Sequence, residues 1–322
     1  MRSPGVTQRV VAVLAISLLL SLPSPAQQHG HEPTQDTGTV KLDTDLVSLS
    51  VTVADQNGKA VLGLKREDFK VYENGIEQII SFFSADEAPA CWGLVLDRSG
   101  SMTAMMRDVY QAAIHVMDEG TEQDEMFIVT FNDQPEIVCE FSSDRHKWEN
   151  SLLGLRAGGT TALYDAVAFA LDHIQQAKHQ KKVLVVITDG EDNSSQLKFR
   201  QLIDQVEERN VLIYTVGMFE PMERSLFDFG GGRTQGELEK LAEATGARAH
   251  FPTNVERCRE AMKEIAGEVS QQYSLGYYPS NTARDGKWRK IKVVATRQGE
   301  KDTRYVARAR TGYYAPRGDE MR

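Results

Sequence analysis

The sequence predicts an α/β fold, namely a doubly wound and mostly parallel sheet inserted between β-strand flanks that form a small β module. Between residues 90 and 272, short apolar segments alternate with segments of helical periodicity, which is typical of parallel sheets covered by helices. Residues 183–188 are a nearly continuous apolar run, as expected for a strand buried on both faces. The flanks, residues 41–88 and 273–315, instead alternate apolar and polar side chains with a period of two.

The composition is that of an acidic globular protein. The 322 residues are 41% hydrophobic and carry a formal net charge of −9, and this length indicates about two domains. Nucleic-acid binding needs a clustered basic face that displaces counterions from phosphates. The acidic charge balance therefore predicts no nucleic-acid partner.

The first 26 residues have the pattern of a secretory signal peptide. Arg2 and Arg9 form a short basic region, residues 10–22 are almost wholly apolar, and Ser24 and Ala26 are small residues at −3 and −1 of a cleavage point. This apolar run is shorter than the roughly 20 residues that cross a bilayer, and no second stretch approaches that length. We expect a periplasmic or secreted mature protein without a membrane span.

Polar segments and strand patterns make up the flanks. Residues 27–40 are polar and predict a linker, and residues 316–322 predict a tail. In the N-terminal β segment (41–88), Val47, Leu49, Val51 and Val53 alternate with polar residues, and turn residues follow at 55–58 and 73–75. The C-terminal β segment (273–315) shows the same period. Because neither flank buries a good core alone, we expect the two to pair into one module.

The central region, residues 90–272, contains strand and helix patterns in alternation. Asn254 is a typical cap residue and predicts the start of the last helix. The predicted strands are 93–96, 126–131, 183–188, 211–216 and 249–251, and the predicted helices are 102–117, 163–177, 197–209, 236–245 and 254–271.

Three polar loops lie where such a sheet places its ligand crevice, beyond the carboxyl ends of the strands. They comprise residues 97–101 after the first central strand, 158–161 before a helix, and 188–192 after the longest apolar strand. Each contributes carboxylate or hydroxyl oxygens, and none contributes sulfur or imidazole. Oxygen donors of this kind suit Mg²⁺, with Mn²⁺ and Ca²⁺ as alternatives, rather than Zn²⁺ or Cu²⁺.

The spacing within the first loop has a physical reason. In a tight turn from strand to helix, Asp97, Ser99 and Ser101 can converge on one point, while Gly100 permits backbone conformations that a side chain would resist. Two carboxylates leave a divalent cation close to neutral and keep one position electrophilic. A carboxylate from an Asp or Glu of a protein partner can fill that position.

At these residues the sequence resembles the von Willebrand factor A family, and the D-x-S-x-S loop with the later Thr and Asp resembles its metal-ion-dependent adhesion site. The resemblance covers residues 90–272 and implies a doubly wound, Rossmann-like domain that binds protein ligands through Mg²⁺. Carried over onto this sequence, it implies the metal ligands Asp97, Ser99, Ser101, Thr161 and Asp189. Thr161 fits the family spacing to Ala166 better than Thr160, which remains the alternative.

The flanks extend the resemblance. The segment LKREDFKVYENGIEQIISFF before the domain, and YSLGYYPSN and ARTGYYAP after it, are similar to bacterial exported proteins called VWFA-related, of the acidobacterial type. That group implies secretion and the same domain order. It implies no established activity.

The sequence favours a binding and adhesion module over an enzyme. A haloacid-dehalogenase-like phosphatase needs a second Asp two residues after the first, where this chain has Ser99. The sequence contains neither a GxxxxGK[ST] phosphate loop nor a GxSxG elbow. A metal-dependent hydrolase and a structural envelope protein with a vestigial site remain the alternatives.

Overall fold

The computed structural model describes residues 46–318 except 57, 86–87, 115, 117–119, 219–231 and 298–304. The predicted signal peptide (1–26), the predicted linker (27–40) and residues 319–322 of the predicted tail lie outside the described residues. Within the described ranges, no helix is both long enough and apolar enough to cross a membrane.

Fourteen strands and six α-helices are described. In chain order the strands are β1 (Val47–Ala54), β2 (Phe69–Glu73), β3 (Ile76–Gln78), β4 (Ile80–Ser84), β5 (Ala90–Asp97), β6 (Glu125–Phe131), β7 (Pro135–Ser142), β8 (Lys181–Thr188), β9 (Leu212–Gly217), β10 (Ala249–His250), β11 (Tyr273–Tyr277), β12 (Trp288–Ala295), β13 (Val306–Arg308) and β14 (Gly312–Tyr314). The helices are α1 (Met106–Ile114), α2 (Arg145–Leu152), α3 (Leu163–His173), α4 (Phe199–Glu207), α5 (Gly232–Thr245) and α6 (Val255–Ser270). Short 3₁₀ helices occur at Arg66–Asp68, Gly100–Ala104 and Ile174–Gln176.

A six-stranded sheet with the order β10-β9-β8-β5-β6-β7 forms the centre of the molecule. All neighbouring strands run parallel except the edge strand β7, which pairs antiparallel with β6. Every residue of β5 is buried, because helices cover both faces of the sheet. Strand β5 carries Gly93 where a Cβ atom would lie 2.4 Å from the side chains of Leu184 and Phe127, so the close packing at this point requires glycine.

The helices cover the sheet in two layers. One layer contains α1, α2 and α6, whose buried side chains, such as Tyr110, Trp148 and Ile265, pack with alternate residues of the central strands. The other contains α3, α4 and α5, which bury residues such as Val167, Leu202 and Leu241 against the opposite face. The two layers show the doubly wound arrangement that the alternating pattern predicts.

The flanks form two four-stranded antiparallel sheets, with orders β13-β1-β11-β4 and β14-β12-β2-β3. Leu49 of β1 lies opposite Leu275 of β11, and Val71 of β2 lies opposite Val293 of β12. Buried side chains of both sheets share one hydrophobic cluster, so the two sheets form a sandwich. We call this pair of sheets the sandwich. The predicted fold class, a mostly parallel sheet between β flanks, is confirmed.

Ionic contacts join the sandwich to the α/β domain. The carboxylate of Glu268 on α6 accepts hydrogen bonds from Arg308 of β13 at 2.9 Å and from the hydroxyl of Tyr214 of β9 at 3.1 Å. Arg248, which precedes β10, also pairs with Glu268. Glu268 is buried, and this charge is therefore compensated by two arginines where the sandwich meets the central sheet.

Three elements of the central region differ from the sequence-based expectation. The prediction omits β7 and α2, because β7 is an edge strand whose exposed glutamates interrupt an apolar pattern. The predicted helix at 102–117 is also wrong at its start, since Gly100–Ala104 is a 3₁₀ helix and α1 begins only at Met106. Asn254 caps α6 as predicted, its side chain accepting the Arg257 N–H at 2.9 Å.

Candidate metal site

The three polar loops meet at the carboxyl edge of the central sheet. Backbone hydrogen bonds tie the first loop to the second: Gly100 N–H donates to the Gly159 carbonyl at 3.3 Å, and Gly158 N–H donates to the Arg98 carbonyl at 2.9 Å. The third loop continues directly from β8, the neighbour of β5 in the sheet. The topology therefore brings together side chains that are separated by up to 92 positions, from Asp97 to Asp189.

Asp97 lies at the centre of this edge and is fully buried. Its Oδ1 accepts the Ser99 N–H at 2.7 Å, and its Oδ2 accepts the Thr188 hydroxyl at 2.6 Å. Burial raises the pKa of Asp97, while the hydrogen bonds from Thr188 and Ser99 act in the opposite direction. These bonds fix the orientation of a carboxylate whose negative charge would be stabilised by a nearby cation.

Hydroxyl and carboxylate oxygens form a short chain beside Asp97. The Ser99 and Ser101 Oγ atoms are 3.1 Å apart, and the Ser101 hydroxyl donates to Asp189 Oδ1 at 2.9 Å. Asp97, Ser99 and Asp189 are buried whereas Ser101 is exposed. The chain of oxygens therefore has a buried side and a side that faces solvent.

The two threonines of the second loop have different environments. Thr160 is exposed, and its hydroxyl donates to Asp133, with Ser194 Oγ also 2.9 Å away. Thr161 is buried, and its Oγ1 lies 3.6 Å from the point where a Cβ of Gly190 would be, against the third loop. The geometry places Thr161, rather than Thr160, beside the loop that carries Asp189.

Glycine is required at one position of the second loop. Gly159 has φ +87°, a left-handed conformation that L side chains rarely adopt, and a Cβ there would lie 2.7 Å from Asp133 Oδ2. Asp133 accepts the Thr160 N–H at 2.8 Å, and its hydrogen bonds from Thr160 lower the pKa of this exposed carboxyl. The second loop is thus anchored by Asp133, a residue that the sequence analysis did not identify.

Two further residues position the site and escaped the sequence-based prediction. Thr188, the last residue of β8, holds Asp97, and Asn193 holds the second loop by accepting the Thr161 N–H at 2.9 Å and donating its own N–H to the Thr161 carbonyl at 3.0 Å. Thr188 is recognisable in the sequence only as a polar residue at the end of an apolar strand. Asp192 accepts the Tyr164 N–H at 3.3 Å near the start of α3.

The donor set is poor in carboxylates. Among the described residues, no group of three or more His, Cys, Asp or Glu side chains is arranged to hold a metal ion. The loops instead bring two carboxylates, Asp97 and Asp189, together with the hydroxyls of Ser99 and Ser101, and the Thr161 hydroxyl packs against the third loop at Gly190. Such an arrangement offers hard oxygen ligands and little negative charge, which leaves room for a further anionic ligand.

Comparisons with known proteins agree with this architecture. Residues 93–268 match the family model described as von Willebrand factor type A domain. An uncharacterized protein of Borreliella burgdorferi is 30% identical over 108 residues, which is 33% of this chain and 32% of that protein. The chain therefore spans about a third of the length of this curated relative.

Two solved structures that are similar to part of this chain are described as von Willebrand factor type A and as MIDAS-bearing. A von Willebrand factor type A protein from Catenulispora acidiphila has a TM-score of 0.49 and 14% identity, covering 86% of this chain and 74% of that one. Proximal thread matrix protein 1 from the mussel byssus, with a zinc-occupied MIDAS motif, has a TM-score of 0.48 and 16% identity, covering 61% of this chain and 49% of that one. The family model covers more than half of this sequence, and the chain belongs to the von Willebrand factor type A domain family.

Proposed function

We propose that this protein is an exported binding module that holds Mg²⁺ at the carboxyl edge of its central sheet and captures an Asp or Glu side chain of a protein partner. The observation that supports this proposal most directly is the chain of oxygens from Ser99 through Ser101 to Asp189, beside the buried carboxylate of Asp97. Thr161 completes the ligand set from the second loop. Residues 1–26 have the pattern of a signal peptide, which supports export to the periplasm or beyond the cell.

The oxygen spacing supports a small cation. Adjacent ligands of an octahedral Mg²⁺ lie about 2.9 Å apart when each is roughly 2.1 Å from the ion. The observed separations between Ser99, Ser101 and Asp189 oxygens are 3.1 and 2.9 Å. Because the Ser101 hydroxyl donates to Asp189, it accepts the Ser99 hydroxyl and keeps one lone pair for a metal. Mn²⁺ has similar ligand preferences, and Ca²⁺ favours wider spacing and more ligands.

Charge balance supports capture of an acidic side chain. Two carboxylates neutralise a divalent cation, and the three hydroxyls add no charge. A partner carboxylate therefore meets an electrophilic ion at the solvent-facing side, where Ser101 is exposed. When bound, the cation supplies this electrostatic attraction, while the residues of the chain orient it and exclude water from the buried side.

The side chains that could act as the general base of a hydrolase, Glu191 and Asp192, have other polar partners. Glu191 is exposed and lies 3.9 Å from Arg233, and Asp192 accepts hydrogen bonds from the Tyr164 N–H and the Ser195 hydroxyl. Among the described residues, neither side chain is hydrogen-bonded to the oxygens of Ser99 or Ser101. We therefore propose a binding role and not an enzymatic one.

The paired threonines give a sharp test of the metal site. Thr161→Val removes a proposed ligand, whereas Thr160→Val removes an equivalent hydroxyl one residue away. Because a ligand that binds only the folded state raises the melting temperature, Mg²⁺ should stabilise wild type and Thr160→Val alike. Thr161→Val should need about tenfold more Mg²⁺ for the same shift. Equal Mg²⁺ dependence of the two variants would remove Thr161 from the site.

The acidic partner is tested with a carboxylate probe. Labelled peptides that differ only by Asp against Asn at one position are titrated with the protein in Mg²⁺ and in chelator. Binding of the Asp peptides alone, and only in Mg²⁺, is expected. Equal binding of Asp and Asn peptides, or binding that survives chelation, would contradict carboxylate capture by the ion.

A further inference from the structure

A large cleft opens on the helical layer that contains α1 and α2. Its volume is about 1010 Å³, and it lies between α1, α2 and the segment 153–157 that follows α2. This volume is at the upper end of the range for sites that enclose a small ligand. The cleft is therefore large enough for several side chains of a bound polypeptide segment.

The cleft begins where the metal site ends. One rim starts at Thr103, two residues after Ser101, and the Thr103 hydroxyl donates to the Gly100 carbonyl at 2.7 Å. The other rim ends at Ala157, which directly precedes Gly158 of the second loop. The first and second loops of the candidate site are therefore continuous with the two rims of the cleft.

The inner wall of the cleft is apolar. Met106 and Ile114 of α1 and Leu152 of α2 line it and are themselves buried. Leu153 adds a large apolar side chain that is 74% exposed. Exposed apolar surface next to a polar site is typical of a contact surface for another protein.

The outer wall is basic. Of the charged side chains that line the cleft in the described part of the chain, three are arginines and one is Glu149, which pairs with Arg145 at 2.8 Å. Arg107 and Arg156 are exposed and leave two positive charges in excess. The whole chain has a net charge of −9, so this wall has the opposite sign to the protein as a whole. A complementary ligand is acidic.

Tyr110 links the cleft to the metal site. It lines the cleft and is 7% exposed, and its hydroxyl has no hydrogen-bond partner among the described residues. Burial raises the pKa of Tyr110 to about 12, and the charges of Arg98 and Asp97 also act on it. The hydroxyl therefore stays protonated at neutral pH and lies buried close to the first loop.

We propose that this cleft receives the stretch of the protein partner adjacent to the metal-bound acidic residue. It selects a stretch with a second carboxylate, placed at Arg107 and Arg156, and an apolar side chain placed on the inner wall. This rests on the proposed function, because the metal-bound residue sets where the stretch enters. The arginines and the apolar wall would then determine which acidic segments are bound.

Selection from a peptide array tests the cleft. The array displays peptides of about twelve residues, which extend roughly 40 Å, with one fixed Asp and all other positions varied. It is probed in Mg²⁺ with wild type, with Arg107→Glu/Arg156→Glu, and with the control Lys290→Glu/Lys292→Glu, which makes the same charge change on exposed lysines of β12. Melting curves check that each variant is folded.

Wild type and the lysine control should enrich peptides with a second acid and a Leu, Met or Phe on the same side of the fixed Asp. The arginine double variant should lose the preference for the second acid, keep the need for the fixed Asp, and bind the best wild-type peptide about tenfold more weakly at low salt. No enrichment by wild type, or identical enrichment by the arginine variant, would overturn the proposal. So would self-association of wild type that the arginine variant abolishes, since the cleft would then hold a second copy.

Failure of the cleft and failure of the metal site give different results. If the fixed Asp and Mg²⁺ are required but the arginine variant selects the same peptides as wild type, only the cleft proposal fails. If wild type prefers the second acid equally in Mg²⁺ and in chelator, and Asp97→Ala does the same, the proposed metal role fails. The cleft proposal then fails as well, because it assumes that the metal-bound residue sets where the partner enters the cleft.

Discussion

The sandwich and the α/β domain differ in how far apart their paired strands lie in the sequence. In the α/β domain, strands connected through a helix become neighbours, except that β8 follows β7 across the sheet to pair with β5, and polar loops collect at one edge of the sheet. In the sandwich, β1 pairs with β11 and β2 pairs with β12, so the two ends of the described chain are joined. The α/β domain therefore carries the candidate metal site, while the sandwich joins the two ends of the described chain.

Polar contacts show the same division. In the sandwich, the buried Glu73 of β2 accepts hydrogen bonds from the hydroxyls of Tyr277 at 2.8 Å and Tyr313 at 2.9 Å, and thereby ties together strands that are distant in sequence. At the candidate metal site, Asp97 is held by Ser99 and Thr188 but lies next to oxygens that open to solvent. One buried carboxylate accepts from two tyrosines, and the other lies beside a chain of hydroxyl and carboxylate oxygens.

The largest expected effect separates the two regions. Leu49→Ala removes a fully buried side chain from the sandwich core and should lower the free energy of unfolding by about 2–5 kcal/mol. Mg²⁺ affinity of the folded variant should be unchanged, because the metal site is built by the central sheet. Chemical denaturation and calorimetry measure the two quantities.

Leu62→Ala is the control for this change, because Leu62 is 54% exposed and its loss should cost little. A fall in Mg²⁺ affinity in the folded Leu49→Ala variant would show that the sandwich shapes the site, and the division between the two regions would then be wrong.

A smaller effect is expected where the regions meet. Burial, with the charges of Arg248 and Arg308, lowers the pKa of His250 from 6.5 to about 4, although Glu264 lies 3.9 Å from its Nδ1. Below pH 6.5 the unfolded chain therefore binds a proton that the folded chain does not, and stability falls as the pH is lowered. The loss from this group approaches about 3 kcal/mol near pH 4.

His250→Gln removes the titrating group and should flatten the stability profile between pH 4 and 6.5. Denaturant titrations of both proteins across this range measure the effect. His146→Gln is the matched control, because the His146 side chain is 88% exposed and its removal should leave the profile as in wild type. An unchanged slope in His250→Gln would show that His250 is not held neutral at this junction.

Two glycines in the α/β domain should respond with opposite signs. Gly93→Ala places a Cβ 2.4 Å from Phe127 and Leu184 atoms in the central sheet and should destabilise by about 1–3 kcal/mol. Gly267→Ala lies inside α6 with no atom within 4 Å of the new Cβ, and should stabilise by about 0.5–1 kcal/mol. Destabilisation of similar size by both would contradict the packing described for β5.

Local patterns account for the parts of the fold that the sequence predicts. The apolar run of β8 and the alternating sequence of β1 both reflect strands with buried faces. The sheet topology confirms the predicted fold class, and the match over residues 93–268 confirms the family. Edge strand β7 was missed because its exposed glutamates hide the pattern. The division of the flanks into two sheets depends on pairing between residues more than 200 positions apart, which periodicity alone does not specify.

The candidate site shows a similar limit. The loops of Asp97, Thr161 and Asp189 are recognisable because each follows or precedes a clear element, and the structure brings them to one edge. Their role as metal ligands stays a prediction. The bond from Thr188 to Asp97 joins residues 91 positions apart, and the anchoring of Thr160 by Asp133 depends on the left-handed Gly159. Such long-range contacts appear only when the chain is folded.

The most direct measurement is a calorimetric titration of Mg²⁺ into the wild-type protein and into Asp97→Ala. Asp97 lies at the buried centre of the oxygen cluster, so wild type should bind one ion with measurable heat and the variant should bind none. Glu77→Ala, which removes an exposed carboxylate of the sandwich, should bind as wild type does. Equal Mg²⁺ affinity of wild type and folded Asp97→Ala would show that the three loops do not form the metal site.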